Sequence, residues 1–339
     1  MSTENQFASV MLSRVRLARD YADLPFDLTE KPDLREVLIT RTWNAMTLSG
    51  LKGYELVRMG ELSENERNVL AESHRISHQF LKRTETGAAF LDEKQVVSVM
   101  MMEDDHLRIQ AVLPGMNLQG AAAACFEVDD ALSRHVEFAF DHQMGYLTAC
   151  PAHAGTGMRA SLMMHLPMLT HYKQMGNVGQ TVARVGLSIR GVYGEGTEAL
   201  GNIYMIGNQA TLGRSEEDIL STVTAVGRQL EEMEQVYRNK AMAQNHLLVE
   251  DQVFRALGLL TGSRLMSLSE FFRLWSSLRM GIVQGIVPMQ TDVIDALLTQ
   301  VQNAHLRAYL ETDMDGEQLN FYRSTRLRQL LREAVIRKK

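Results

Sequence analysis

Apolar and polar residues alternate with a period of two from Val10 to Arg19, which predicts a strand with Arg14 and Arg16 on one face. Strand patterns recur over Val96 to Met102 and Leu107 to Leu113, joined by Glu103-Asp104-Asp105-His106, and again on both sides of a glycine-rich loop within Ser188 to Leu212. Asp33 to Glu36 and Ser63 to Glu66 match the capping-box pattern, and each leads into apolar positions at helical spacing. Ala121 to Phe140, with Val128, Leu132, Val136 and Phe140 four apart, predicts one long packed helix. Ser215 opens another, whose apolar positions run through Ile219, Val223, Val226, Leu230, Met233 and Tyr237. From about residue 240 only helical periodicity remains, broken near Gly281 to Pro288, so a separate helical domain is expected there.

Composition narrows the function classes. The chain has 339 residues, 45% hydrophobic and 22% charged, which suits two domains with a large core. A formal net charge of −6 argues against non-specific nucleic-acid binding and against a polybasic membrane anchor. No apolar run approaches the roughly 20 residues that span a bilayer, and the first ten residues lack a signal-peptide core. Two cysteines, Cys125 and Cys150, supply neither a disulfide framework nor zinc spacing, so a reducing, cytoplasmic setting is expected and no metal site is assigned.

Several stretches carry candidate chemistry. Two cations on one face of the first strand repel unless an anion lies against them; a solvated edge strand is the alternative. Three adjacent acids beside Arg108 are expected to face solvent, a metal or a cationic substrate. Gly155-Thr156-Gly157-Met158-Arg159-Ala160-Ser161 offers backbone N–H groups and a guanidinium to phosphate oxygens, though it lacks the P-loop ending. Cys150, just upstream, is either an activated thiol or a buried inert one. Arg190 and Gly191, followed by Val192, Tyr193, Gly194 and Glu195, form a loop that can close over a ligand and bring a carboxylate with it. His74 and His78 sit at the end of the second helix, where surface histidines are common.

Taken together and in this order, Ser13-Arg14-x-Arg16, Glu103-Asp104-Asp105-His106-x-Arg108, Cys150 to Ser161 and Arg190 to Glu198 resemble the phosphagen (guanidino) kinase family. The resemblance covers roughly residues 10 to 235. It implies an α+β fold, an antiparallel β-sheet flanked by helices over residues 1–237, followed by an all-helical domain over 238–339. It implies ATP and Mg2+ as cofactors, with Arg14, Arg16, Arg108, Arg159 and Arg190 gripping the phosphates. Their neighbours Ser13, Val15, Ala160, Ser161, Leu162, Met163, Gly191, Val192, Tyr193 and Gly194 are expected to contact the nucleotide, with His74 and Glu195 alongside. The chemistry needs this set: ATP brings about four negative charges, magnesium cancels two, and arginine's fork binds two oxygens without ever deprotonating.

The acceptor side is implied by carboxylates. A guanidinium has a pKa above about 12, so its attack on a phosphorus needs a carboxylate to orient it and take a proton. Glu195 matches the family's loop glutamate, and Asp104 occupies the position of its catalytic turn glutamate, one methylene shorter, with Glu103 as the adjacent substitute. Met102 stands where the family has asparagine. The order of parts, with the Ser-Arg-x-Arg strand first and a helical domain last, resembles the bacterial protein-arginine kinases. That implies protein substrates with exposed arginines (a stress-response repressor among them), a zinc-containing activator protein, a Clp unfoldase partner and a homodimer. Their phosphoarginine pocket has its best counterpart at Arg323 to Arg328, which keeps only the first arginine. A nucleotide-binding pseudokinase or adaptor, and a kinase of a free guanidino compound, are the alternative readings.

Overall fold

The computed structural model describes residues 7–192, 199–314 and 316–336. Alternating sequence at Val10–Arg19 forms β1, which is paired on both sides rather than at an edge. The remaining strands are β2 (Tyr54–Arg58), β3 (Ala88–Asp92), β4 (Val97–Met101), β5 (Leu107–Pro114), β6 (Phe140–Asp141), β7 (Gly145–Tyr146), β8 (Met158–His165), β9 (Leu187–Gly191) and β10 (Ile203–Asn208). Eight of them make one antiparallel sheet in the order β2-β3-β4-β5-β1-β8-β10-β9, and β6 and β7 form a small hairpin.

The helices are α1 (Pro32–Leu48), α2 (Glu64–Glu72), α3 (Leu118–Ser133), α4 (Pro167–His171), α5 (Met175–Arg184), α6 (Glu216–Gly262), α7 (Leu268–Val283), α8 (Thr291–Gln300), α9 (Asn303–Leu310) and α10 (Gly316–Ile336). One sheet face carries Val15, Leu17, Ile109, Ala111, Ala160, Leu162 and Ile206, all buried together with apolar residues of α1, α3 and the first half of α6. A second core joins Met163, Ile203 and Met205 of the sheet to α7, α8, the end of α6 and Leu327 and Leu331 of α10. The terminal helices are therefore packed on the eight-stranded sheet itself. Helix α6 runs unbroken across residue 237 and has one non-helical residue, Asn245.

Three expectations are corrected. Asp33 does not cap α1, because Pro32 takes the first helical position with its fixed φ, and Glu36 instead pairs with Arg58 at 2.6 Å. Ser63 and Glu66 do form the capping box of α2. The helix expected to reach Phe140 ends at Ser133; beyond it the chain is extended, with Ala22 N–H donating to Glu137 and Ala139 N–H to Asp20. Val136 is buried but Phe140 is 53% exposed, so the four-residue spacing does not continue as a packed helical face. Gly281 lies inside α7, where a side chain would strike Val253; the break comes after Val283.

Candidate active site

Strand register assembles the site. Arg16 on β1 stands opposite Gln110 of β5 and Arg159 of β8; Arg14 stands opposite Ser161. Ser161 pairs with Gly207 of β10, which pairs with Ser188 of β9, and Arg190 lies two residues further on. With a side-chain period of two, all of these project from one face of the central strands. All but Gln110 line a cleft of about 340 Å³ that also takes in Arg108, His74, His78, Gln79, Asp104 and His153. All five arginines expected to grip phosphate are thus on one cleft wall. Gly207 is the floor beneath them: a Cβ there would lie 2.7 Å from the carbonyl of Ala160.

The neighbours divide by parity. Ser161, Gly191 and Val192 line the cleft. Val15, Ala160 and Leu162 point to the opposite face and are buried in the main core. Ser13 also turns away, donating to the Gly115 carbonyl at 2.8 Å and accepting from Asn117 N–H. Met163 shares the arginine face but lies under the second core. Tyr193, Gly194 and Glu195 lie outside the described residues. The Gly155–Gly157 loop is not a phosphate cradle. Thr156 N–H donates to Thr211 and Met158 N–H to the Thr156 hydroxyl, while both glycines make room for backbone: Leu212 and Thr211 against Gly155, Ala18 against Gly157.

The cations crowd one another. Burial, then the neighbouring guanidiniums, lowers Arg14 to about 10, and burial with Arg14 and Arg108 nearby pushes Arg16 well below its ordinary value. Burial and Arg190 also lower Arg159. The charge of Glu103 opposes this trend for Arg14 and Arg16. A wall of this kind favours a polyanion. His74, held at φ 59, is pushed down to about 4 by burial and by Arg14. Nucleotide at about 100 times its Kd should therefore stabilise the fold by about 2.7 kcal/mol, read as a rise in Tm that Arg14→Ala diminishes.

The acidic turn does not face solvent as a cluster. Glu103 and Asp105 are buried and only Asp104 reaches the cleft, where Gln79 Nε2 donates to its Oδ1 at 2.7 Å. Glu103 accepts from the Ser77 hydroxyl and lies 3.1 Å from Arg108 Nε, misaligned so that neither of those two atoms gains a hydrogen bond. Met102 precedes it at φ 62, a left-handed conformation that asparagine adopts more readily than methionine. Asp105 accepts from Cys150 N–H at 3.1 Å and from His153 Nδ1 at 2.6 Å. Beside it, burial and the charge of Asp105 raise Asp20 to about 7. His106 is only 3.5 Å from Asp20, but its Nδ1 accepts from Tyr21 N–H and its Nε2 donates to the Pro25 carbonyl, so it is a neutral structural residue and not an ion-pair partner.

Cys150 does not line the cleft; its backbone N–H serves Asp105, and its thiol is near enough to act on the charge of Arg159. His153 was not singled out from the sequence, although it lies within the Cys150 to Ser161 stretch. Its Nδ1–H is spent on Asp105, which leaves Nε2 as acceptor facing both terminal nitrogens of Arg108 at 3.3 and 3.4 Å. Gln110 was missed too, though it is two residues from Arg108 on the same face; it accepts from Arg16 Nε at 2.7 Å and donates to the His74 carbonyl. His153→Ala should raise the KM for ATP about tenfold by freeing Arg108, and His153→Gln should recover part of that loss.

A second cavity, about 280 Å³, lies on the other side of the turn and shares Asp104 with the first. Phe26, Asp27, Thr29, Arg83, Glu103 and His106 are on its wall. Among the described residues, no three His, Cys, Asp or Glu side chains are placed to hold a metal ion.

Residues 38–237 match the family model of the ATP:guanido phosphotransferase C-terminal catalytic domain. The chain belongs to that family. Residues 246–338 match the protein-arginine kinase McsB C-terminal domain. Among relatives of the family, a protein named protein-arginine kinase from Syntrophomonas wolfei is 40% identical over 97% of this chain and 93% of its own length. One from Caldanaerobacter subterraneus is 38% identical over 92% of each. These alignments place the chain in the protein-arginine kinase branch of the family. The family fold is seen again in a duplicated taurocyamine kinase from Schistosoma mansoni, solved with transition-state analogue components (TM-score 0.63, 23% identity, 77% of this chain and 39% of that one). Lombricine kinase matches with a TM-score of 0.56 at 22% identity over 68% of each chain.

Proposed function

We propose that this chain is a protein-arginine kinase, transferring the γ-phosphoryl group of ATP to arginine side chains of proteins. The observation that carries the reading is the wall of five arginines at whose edge, among the described residues, one carboxylate, Asp104, lies between two cavities. In the first cavity the guanidiniums hold the triphosphate and the charge that develops on it. The second admits the acceptor. A guanidinium nitrogen of the acceptor attacks the γ-phosphorus, the N–P bond forms as the P–O bond to ADP breaks, and the proton leaves for a carboxylate. Asp104 is assigned that contact, with Glu195, which lies outside the described residues, as the second carboxylate. Gln79 supports the assignment by fixing the shorter aspartate in place.

Magnesium suits the site only as MgATP. The wall is cationic and offers no carboxylate cage among the described residues, so the ion would be carried by phosphate oxygens and supply charge neutralisation there. A cytoplasmic setting, a homodimer, a zinc-containing activator and delivery of marked proteins to a Clp unfoldase belong to the same proposal. No helix among the described residues is long and apolar enough to cross a membrane. The test is mass spectrometry of an arginine-rich protein after incubation with ATP and magnesium, handled without acid. Phosphoarginine is the expected product; its absence, with nucleotide still bound, would overturn the reading.

A further inference from the structure

The cavity beyond Asp104 holds two arginines that the phosphate grip does not use, Arg35 and Arg83. Arg35 is already occupied, donating to the carbonyls of Leu28 and Thr29 and so tying that wall to α1. Arg83 is different. Its backbone is fixed, with its N–H on the Phe80 carbonyl at 3.0 Å and its carbonyl accepting from Gly87 at 2.8 Å, and a side chain at Gly87 would collide with it. Its guanidinium is half-buried and has no hydrogen bond or ion pair among the described residues. Four acids share the wall with it: Asp27 is exposed and accepts from Thr29 N–H, while Glu103, Asp104 and Asp105 already accept from Ser77, Gln79 and His153.

Arg83 lies four residues after Gln79, the residue that holds Asp104, with the turn Phe80–Lys82 between them. A rigid turn therefore carries a guanidinium with no hydrogen-bond or ion-pair partner among the described residues to the cavity that, on the reading above, admits the acceptor. The acids of the wall suit the acceptor arginine, and the unpaired guanidinium suits an anion that the substrate brings beside it. We propose that this cavity is a subsite for the residue adjoining the acceptor arginine, and that Arg83 selects a carboxylate side chain there. The proposal rests on the kinase reading and adds its substrate class: arginines with acidic neighbours.

The experiment uses the full chain and three peptides that differ only beside a single arginine, carrying aspartate, asparagine or lysine on both sides. Wild type is expected to show kcat/KM about fivefold higher for the aspartate peptide than for the asparagine peptide, a ratio that shrinks as salt rises. Arg83→Ala should bring the ratio close to one, Arg83→Lys should keep most of it, and Arg83→Glu should turn the preference toward lysine. Equal use of the aspartate and asparagine peptides by wild type, or a ratio that survives Arg83→Ala in a variant of unchanged Tm, overturns the subsite and leaves the kinase standing. Failure to phosphorylate any arginine while ATP still binds overturns both.

Discussion

Asp104→Asn is expected to lower kcat about 1000-fold while ATP affinity stays within about twofold. The substitution keeps the side chain's shape and one oxygen for Gln79 Nε2, so the turn should stay as it is. What disappears is a charge that can orient a cationic acceptor and receive its proton. The contacts proposed for the nucleotide are with arginines on the sheet, which the change does not touch. Steady-state kinetics with both substrates varied, beside a direct measurement of nucleotide binding, separate the two effects. An equal loss of ATP binding would show that Asp104 serves the nucleotide instead.

The largest effect on stability is expected at a residue outside the cleft. Arg19 follows Arg16 by three on β1 and so points to the other face, where it is 1% exposed. It holds Asp129 of α3 with two bonds, at 2.9 and 2.7 Å, donates to the carbonyls of Ala18 and Thr156, and stacks 3.4 Å over the ring of Tyr146. Burial already pushes Asp129 up. Arg19→Ala strands that carboxylate and two carbonyls, at a cost of about 3–5 kcal/mol. Thermal unfolding should register a fall of roughly 10 °C in a chain of this size. Adding Asp129→Leu should recover much of it, because the penalty is an unpaired buried charge rather than a lost attraction. A single variant within 1 kcal/mol of wild type would show that the pair is dispensable.

Much of this was legible in the chain. Alternation in Val10–Arg19 placed Arg14 and Arg16 together, and the motifs around Arg108, Arg159 and Arg190 named the other three arginines of the wall. The same period separates neighbours: Val15, Ala160 and Leu162 are adjacent to Arg14, Arg16, Arg159 and Ser161 in sequence and on the opposite side of the sheet in space. What could not be read was long-range pairing. Glu103 and Asp105 look like exposed acids until Arg108, Ser77, His153 and the Cys150 N–H are brought around them. His153 looks like any loop histidine until its two nitrogens are seen between Asp105 and Arg108. The Gly-Thr-Gly run has the composition of a phosphate loop, but its glycines let neighbouring chains approach closely.

Because β1 is flanked by hydrogen-bonded neighbours along most of its length, its side chains cannot be shifted singly. Inserting or deleting one residue near Ser13 would carry Val15 and Leu17 into the solvent-filled groove and drive two guanidiniums into hydrocarbon. Ligand capture and folding would be lost in one step. In this strand the frame of the sequence is as much a determinant of activity as the identity of any amino acid in it.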